Sequence, residues 1–372
     1  MVSADATGVP RVSIVLPVYN GARFLRLAVD SMLAQTFGDF ELLLLDDGSS
    51  DDSLAIAREC EAADARVRVH ALPHRGLAAT LNEGLRLAQA PLVARMDGDD
   101  VAWPERLALQ VAFLDRFPAI GAVGGQVRGI DSNGGVSSNM DYPCAPEDVK
   151  AQLFARCPLV HPTVVMRRQP VIDIGGYRPM FTYAEDYDLW LRLDEHVALA
   201  NLPDVVLDFR RHPGNVSQRF QLQQALDGLA ARASALARRA TGRDPLAHFA
   251  GRFDIATLDA IDLTAALRSE WLATSFMAIA HYGIGADPTL RAWVEAASYA
   301  ALARHRSEAI CETMTRAHFA IARNEWLAGN HRAALEHLRR ALAVAPRTAI
   351  RRAVGYAWKR VRSAVDPAIN RT

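Results

Sequence analysis

Up to about residue 215, short apolar β-rich runs alternate with segments of helical periodicity, and no other feature constrains the fold of this chain as strongly. Strands separated by helix-length segments need crossover connections. The pattern therefore predicts a layered α/β domain with a mostly parallel sheet. Val12–Val18 reads as a buried first strand, and Phe24, Leu27, Ala28, Val29, Met32 and Leu33 form one stripe of a helix over Arg23–Gln35. Further strands are expected at Glu41–Leu45, Val67–Leu72, Leu92–Met96, Ile120–Val127 and around Val205–Leu207, with a helix at Leu77–Ala88. Pro104 suits the first turn of another helix, which turns Leu107, Val111 and Leu114 inward. Gly- and Ser-rich hairpin chemistry follows around Asn133–Ser138.

From about Arg219 the strands stop and Ala-, Leu- and Arg-rich helical patterns continue to the end. Pro213-Gly214-Asn215 marks the boundary, giving an α/β domain over 10–217 and an all-α region over 218–372. Within the latter, Gly329, Ala334, Leu338, Ala341 and Pro346 fall at the offsets of the second helix of a tetratricopeptide-like pair, 315–348. No second copy follows at that period, and one repeat cannot bury its own face, so a helical hairpin in a bundle is favoured over a partner-binding repeat. Ile350, Val354, Trp358, Val361 and Val365 form an apolar stripe flanked by Arg351, Arg352, Lys359, Arg360 and Arg362. Such a basic amphipathic helix either lies on an anionic membrane or docks on its neighbours.

Charge narrows the function. Lys plus Arg number 42 and Asp plus Glu number 42, a balance that argues against a nucleic-acid binder. The four cysteines, Cys60, Cys144, Cys157 and Cys311, form no close pair, so a reducing compartment is expected. The N-terminus has no secretory pattern, and no apolar run approaches the ~20 residues of a membrane helix. A cytoplasmic protein is expected, with peripheral contact at the inner face of the membrane left open.

In a parallel sheet, ligands bind outside the carboxyl ends of the strands. Three strands here end in polar groups: Pro17-Val18-Tyr19-Asn20, Asp46-Asp47-Gly48-Ser49 and Asp97-Gly98-Asp99-Asp100. One acidic strand end is ordinary turn or cap chemistry. Two on one sheet edge repel unless a cation or a donor-rich ligand lies between them. The D-x-D spacing suits a hard divalent cation, Mn²⁺ or Mg²⁺, that leaves coordination positions for a diphosphate. Glu185-Asp186 opens a further helix marked by Leu189, Trp190 and Leu193, where an acidic pair also complements the helix dipole.

The run from Pro10 to Ser53, followed by PLVARMDGDDVAWPERL, closely resembles glycosyltransferase family 2 enzymes of GT-A fold over about Pro10 to Ser217. The resemblance implies a metal-dependent inverting enzyme that moves a sugar from a UDP-, GDP- or dTDP-linked donor to an acceptor hydroxyl. The acceptor it implies is a growing cell-surface glycan or a lipid-linked precursor. It places Pro17, Tyr19, Asn20 and Asp47 around the nucleoside, with Asp47 accepting from the base, and puts Asp97 near the ribose. Arg75 stands as a base or phosphate contact, and of Arg210 and Arg211 one, taken as Arg211, stands against the diphosphate. Asp99 is the principal metal ligand, with Asp97 and His212 beside it. Asp186 is the general base, and Glu185 orients acceptor or base. His161-Pro162 is expected to open a strand facing the acceptor or to be structural. A dinucleotide-dependent oxidoreductase needs G-x-G-x-x-G after the first strand, where this chain has Pro-Val-Tyr-Asn-Gly-Ala. The remaining alternative is an inactive nucleotide-sugar sensor or scaffold that acts through its helical region.

Overall fold

The computed structural model describes residues 8–154, 156–212, 220–249, 251 and 307–350. Between 265 and 303 it also describes helical positions 265, 268, 269, 272, 273, 276, 277, 280, 295–300, 302 and 303. The expected boundary at Pro213-Gly214-Asn215 and the terminal helix beyond Ile350 lie outside the described residues. The chain divides into two compact units, Met1–Arg219 with Ala250–Arg252, and Phe220–Phe249 with Phe253–Thr372.

In the first unit, β1 (Val12–Val18) and β2 (Phe40–Asp46) are buried along their whole length. Such continuous apolar runs belong in a sheet covered on both faces. β1 pairs in parallel with β2 and with β4 (Leu92–Arg95), while β2 carries β3 (Val67–Ala71). The order β3-β2-β1-β4 reverses direction at β1, so the carboxyl ends of β1 and β4 flank a topological switch point. Beyond β4 the sheet becomes mixed. β8 (Val165–Arg167) is antiparallel to β4 and to β6 (Ile120–Ile130), and β6 pairs in parallel with β9 (Ala198–Arg210). The short β5 (Val101–Ala102) closes on β9, and β7 (Val136–Met140) folds back on β6. The helices α1 (Ala22–Leu33), α2 (Ser53–Ala63), α3 (Leu77–Leu87) and α4 (Arg106–Arg116) connect these strands. α5 (Pro146–Leu153), α6 (Arg168–Asp173) and α7 (Glu185–Leu193) follow. Gly84 lets α3 lie close on the sheet, since an added Cβ would stand 2.5 Å from Val15 Cγ1 and 2.9 Å from Leu45 Cδ1.

Two sequence expectations need correction. His161 does not open a strand: His161–Thr163 is a 3₁₀ turn, and β8 starts at Val165. The strand expected only around Val205–Leu207 runs over thirteen residues, from Ala198 to Arg210.

In the second unit, α8 (Gln221–Thr241) ends on Gly242, left-handed at φ +70°. α9 (Glu308–Leu327) is capped by the Ser307 hydroxyl, which accepts from the Ile310 N–H at 3.2 Å. It turns through Gly329 (φ +83°) into α10 (His331–Val344). The two helices pack against each other.

Candidate active site

The carboxyl ends of β1 and β2 are tied together by Asn20, which holds a left-handed φ of 50° that Asn tolerates better than bulkier residues. Its N–H donates to Ser49 Oγ at 2.9 Å, and its Oδ1 accepts from the Ser50 N–H at 2.8 Å. Pro17 is buried in β1, whereas Tyr19, just past the strand end, is half exposed. The Tyr19 ring stacks on His74 with centroids 4.1 Å apart and planes 22° off parallel. Asp47 holds this platform in place. Its two carboxylate oxygens accept from the backbone N–H groups of Arg75 (2.9 Å) and Gly76 (3.0 Å), and His74 Nδ1 stands 2.9 Å from Oδ2. The Asp47 carboxylate thus already organises the loop ahead of α3, and the Arg75 side chain projects outward.

Past β4, Asp97, Asp99 and Asp100 bring carboxylate oxygens within 4.8 Å of one another. Burial first, and then the Asp97 charge, push Asp99 above the usual carboxylate range, while His212 opposes the shift through a 3.0 Å contact from Nε2 to Oδ2. Asp100 is driven up further by burial and by its two neighbours. Its Oδ1 accepts from the Arg210 N–H at 2.7 Å, and its buried Oδ2 has no hydrogen-bond partner among the described residues. Converging oxygens, mutual repulsion and an unmet buried oxygen are what a hard divalent cation would relieve, so this donor set fits Mg²⁺ or Mn²⁺.

The third group opens α7. Leu189, Trp190 and Leu193 are buried, which anchors the helix and presents its first turn. Glu185 is 6% exposed, and burial together with the adjacent Asp186 pushes it well above the ordinary range. Burial pushes Asp186 up to about 6, against a 2.7 Å hydrogen bond to its Oδ1 from the Tyr187 N–H and the field of Arg95. A carboxylate with that value is ionised at neutral pH yet basic enough to take a proton. Asp188, on the same turn, serves the fold instead. It is fully buried and clamped by Arg178 and Arg192. His161 also lies beneath the site, with Nε2 2.8 Å from the Tyr177 hydroxyl and Nδ1 3.9 Å from Glu185 Oε1. Burial and Arg95 hold its ring well below its usual pKa, hence neutral.

The neighbouring arginines at the end of β9 separate as strand alternation requires. Arg210 is buried: its Nε donates to the Asp99 carbonyl (2.7 Å) and its Nη1 to the Asp131 carbonyl (3.1 Å), while its guanidinium lies over the Phe24 ring. Arg211 points away, with Nη2 3.1 Å from Met140 Sδ.

A model of the family "Glycosyl transferase family 2" matches residues 13–175. The O-antigen biosynthesis glycosyltransferase WbnJ of Escherichia coli is 31% identical over 54% of this chain and 80% of its own length. The chain belongs to glycosyltransferase family 2. Among solved structures, this glycosyltransferase is similar to S. aureus TarS 1–349 in complex with UDP-GlcNAc, with a TM-score of 0.55 and 17% identity. That likeness covers 89% of this chain and 92% of TarS 1–349, and the chain spans 55% of a longer TarS chain. A second similar structure is the mannosyltransferase PcManGT of Pyrobaculum calidifontis in complex with GDP-Man and Mn²⁺, with a TM-score of 0.50 and 20% identity over 88% of this chain and 89% of that one. The shared fold is GT-A, a mostly parallel, Rossmann-like sheet followed by helices. Against it, sequence reasoning on this glycosyltransferase misses His74 and Arg95, neither of which stands out by residue type, and it does not separate Arg210 from Arg211. Only strand alternation signals that Arg210 faces inward.

Proposed function

We propose that this glycosyltransferase moves a sugar from a nucleoside-diphosphate donor to an acceptor hydroxyl, inverting the anomeric centre. The observation that carries the reading is the pairing of an Asp97–Asp99–Asp100 cluster at the switch point with a separately tuned Glu185–Asp186 pair. The Tyr19–His74 stack is the platform for the base, backed by Pro17 and Asn20 and ordered by Asp47. Asp97 is assigned to the ribose, and Arg75 and Arg211, both exposed at the rim, would turn onto the phosphates of a bound donor. Asp99, with Asp97 and His212, would hold Mn²⁺ or Mg²⁺, which when bound offsets the charge of the departing diphosphate. Asp186 takes the acceptor proton as the acceptor oxygen bonds to the anomeric carbon. The bond from that carbon to the phosphate oxygen breaks in the same displacement, and the nucleoside diphosphate leaves. Glu185, which burial and the adjacent Asp186 push well above the ordinary range, orients acceptor or base. Direct attack turns an α-linked donor into a β-glycoside.

The O-antigen assignment of WbnJ supports a cell-surface glycan or its lipid-linked precursor as acceptor. Among the described residues no helix is long and apolar enough to cross a membrane; the cytoplasmic setting and any peripheral contact through the C-terminal segment are carried by sequence pattern. A thermal-shift panel of UDP, GDP, dTDP and their sugars with Mn²⁺ tests the donor class. A true donor at 100 times its Kd stabilises the protein by about 2.7 kcal/mol, and no shift with any nucleotide would overturn the reading.

A further inference from the structure

The second unit buries a polar cluster that the transfer reaction does not use. His318, in the middle of α9, is fully buried, and His337 lies on the buried face of α10 with Ala334, Ala341 and Val344. The two rings meet Nδ1 to Nδ1 at 3.0 Å, and His318 Nε2 stands 2.6 Å from the Tyr299 hydroxyl. Glu295 is four residues before Tyr299 in the helical segment 295–300, so both project from one helix face. One carboxylate oxygen of Glu295 and one ring nitrogen from each histidine lie within 4.8 Å of one another. Burying two imidazoles and a carboxylate together is costly unless something satisfies all three.

A shared proton would join the two Nδ1 atoms but would give Glu295 no reason to converge on the same point. A metal ion accounts for all three. Around a tetrahedral ion about 2.0–2.1 Å from each ligand, donor atoms stand roughly 3.3 Å apart, so the 3.0 Å contact needs to open only slightly. The surroundings match those of a metal site. Tyr299 holds the far nitrogen of His318, and Arg340 forms a close ion pair with Glu295 while its Nε donates to Glu336 Oε1 at 3.2 Å. Outer partners of this kind orient ligating imidazoles and carboxylates. The edge of the Phe276 ring packs on His318, centroids 5.1 Å apart, which keeps that side apolar. On the other side Glu336 and Arg340 line an open pocket with Asn330, Arg332 and Ala333, which gives an ion a way in.

We propose that Glu295, His318 and His337 bind a divalent transition-metal ion of the zinc class within the helical unit, at a site independent of the sugar-transfer reading. Two imidazoles and one carboxylate suit Zn²⁺, whereas Mg²⁺ favours oxygen ligands. His318 ligates through Nδ1, so its Nε2–H donates to the Tyr299 hydroxyl oxygen. Three protein ligands leave one position for water. The bound ion ties α9, α10 and the 295–300 segment to one another, and its binding energy adds to the stability of the helical unit.

The test titrates Zn²⁺ into the untagged full chain carrying Asp99→Asn, which weakens the acidic cluster as a competing site. Stoichiometry and affinity are read by competition with a chromogenic chelator, stability by melting temperature, and geometry by the visible absorption of Co²⁺ in place of Zn²⁺. The expected result is one tightly held Zn²⁺ per chain, a raised melting temperature and the absorption of four-coordinate Co²⁺, all lost on adding His337→Gln. Tyr299→Phe, which removes only the outer hydroxyl, is expected to weaken Zn²⁺ binding roughly tenfold to hundredfold. No uptake of Zn²⁺, or equally tight uptake by folded His337→Gln, would overturn the proposal. If His337→Gln does not fold, Tyr299→Phe decides, and an unchanged Zn²⁺ affinity in that variant would overturn it as well.

Discussion

The value of about 6 for Asp186 sets a quantitative expectation for catalysis. Moving a carboxyl from its ordinary 3.8 to about 6 disfavours the ionised form by about 3 kcal/mol, at 1.36 kcal/mol per unit. Only ionised Asp186 can accept the acceptor proton. The competent fraction is therefore about a tenth at pH 5, half at pH 6 and about nine-tenths at pH 7, and kcat should rise with unit slope through an apparent pKa near 6. Asp186→Asn should remove that limb and lower kcat by roughly 10²–10⁴ while leaving donor Kd nearly unchanged, because a base acts only as the proton leaves. The same shift has a stability sign. A raised folded-state pKa disfavours the native state above pH 6, and the penalty vanishes below about pH 4, where both states are protonated. Asp186→Asn should therefore raise stability by about 1–3 kcal/mol at pH 8 and by little at pH 4. Steady-state kinetics from pH 4.5 to 8.5, with urea unfolding at the two pH values, measures both. An acid limb that persists in Asp186→Asn, or a parallel loss of kcat and donor affinity, would refute the assignment.

Other perturbations bear on other parts of the site. Asp99→Asn should weaken metal-assisted nucleotide binding and abolish turnover; full activity of this variant, or of the wild type in excess EDTA, would remove the metal from the mechanism. Tyr19→Ala should cost about 0.5–1.5 kcal/mol of nucleotide affinity by dismantling the stack on His74, read by titration calorimetry, and an unchanged Kd would move the base elsewhere. Asp188→Ala leaves Arg178 and Arg192 without their shared carboxylate and should destabilise the fold by about 3–5 kcal/mol, measured by urea unfolding; a loss below ~1 kcal/mol would show that the clamp is dispensable.

The α/β half of the fold is legible because its central strands are continuous apolar runs and its helices carry clear stripes, both of which are local properties. The sequence pattern makes β9 too short because Asn201, Pro203 and Asp204 interrupt it, and only pairing with β6 across long sequence separation holds the strand extended. His161 misleads because a polar residue before Val164-Val165-Met166 looks like a strand start until Tyr177, Trp190 and Glu185 arrive from elsewhere in the chain. The acidic residues of the site can be read because each lies in a short motif with its own chemistry. Arg95 cannot: its burial beside Asp97 follows from alternation in a strand whose neighbours come from elsewhere in the chain, and in sequence it is one arginine among many.

Release of nucleoside diphosphate by the wild-type chain tests the central claim most directly, using UDP-, GDP- and dTDP-sugars with Mn²⁺ and a panel of glycan acceptors. The expected result is that one donor is consumed, faster with an acceptor present, with a β-linked product from an α-linked donor and no turnover in Asp99→Asn or Asp186→Asn. A donor that binds with Mn²⁺ yet is never consumed across the panel would contradict the claim and leave a nucleotide-sugar-binding protein in place of an enzyme.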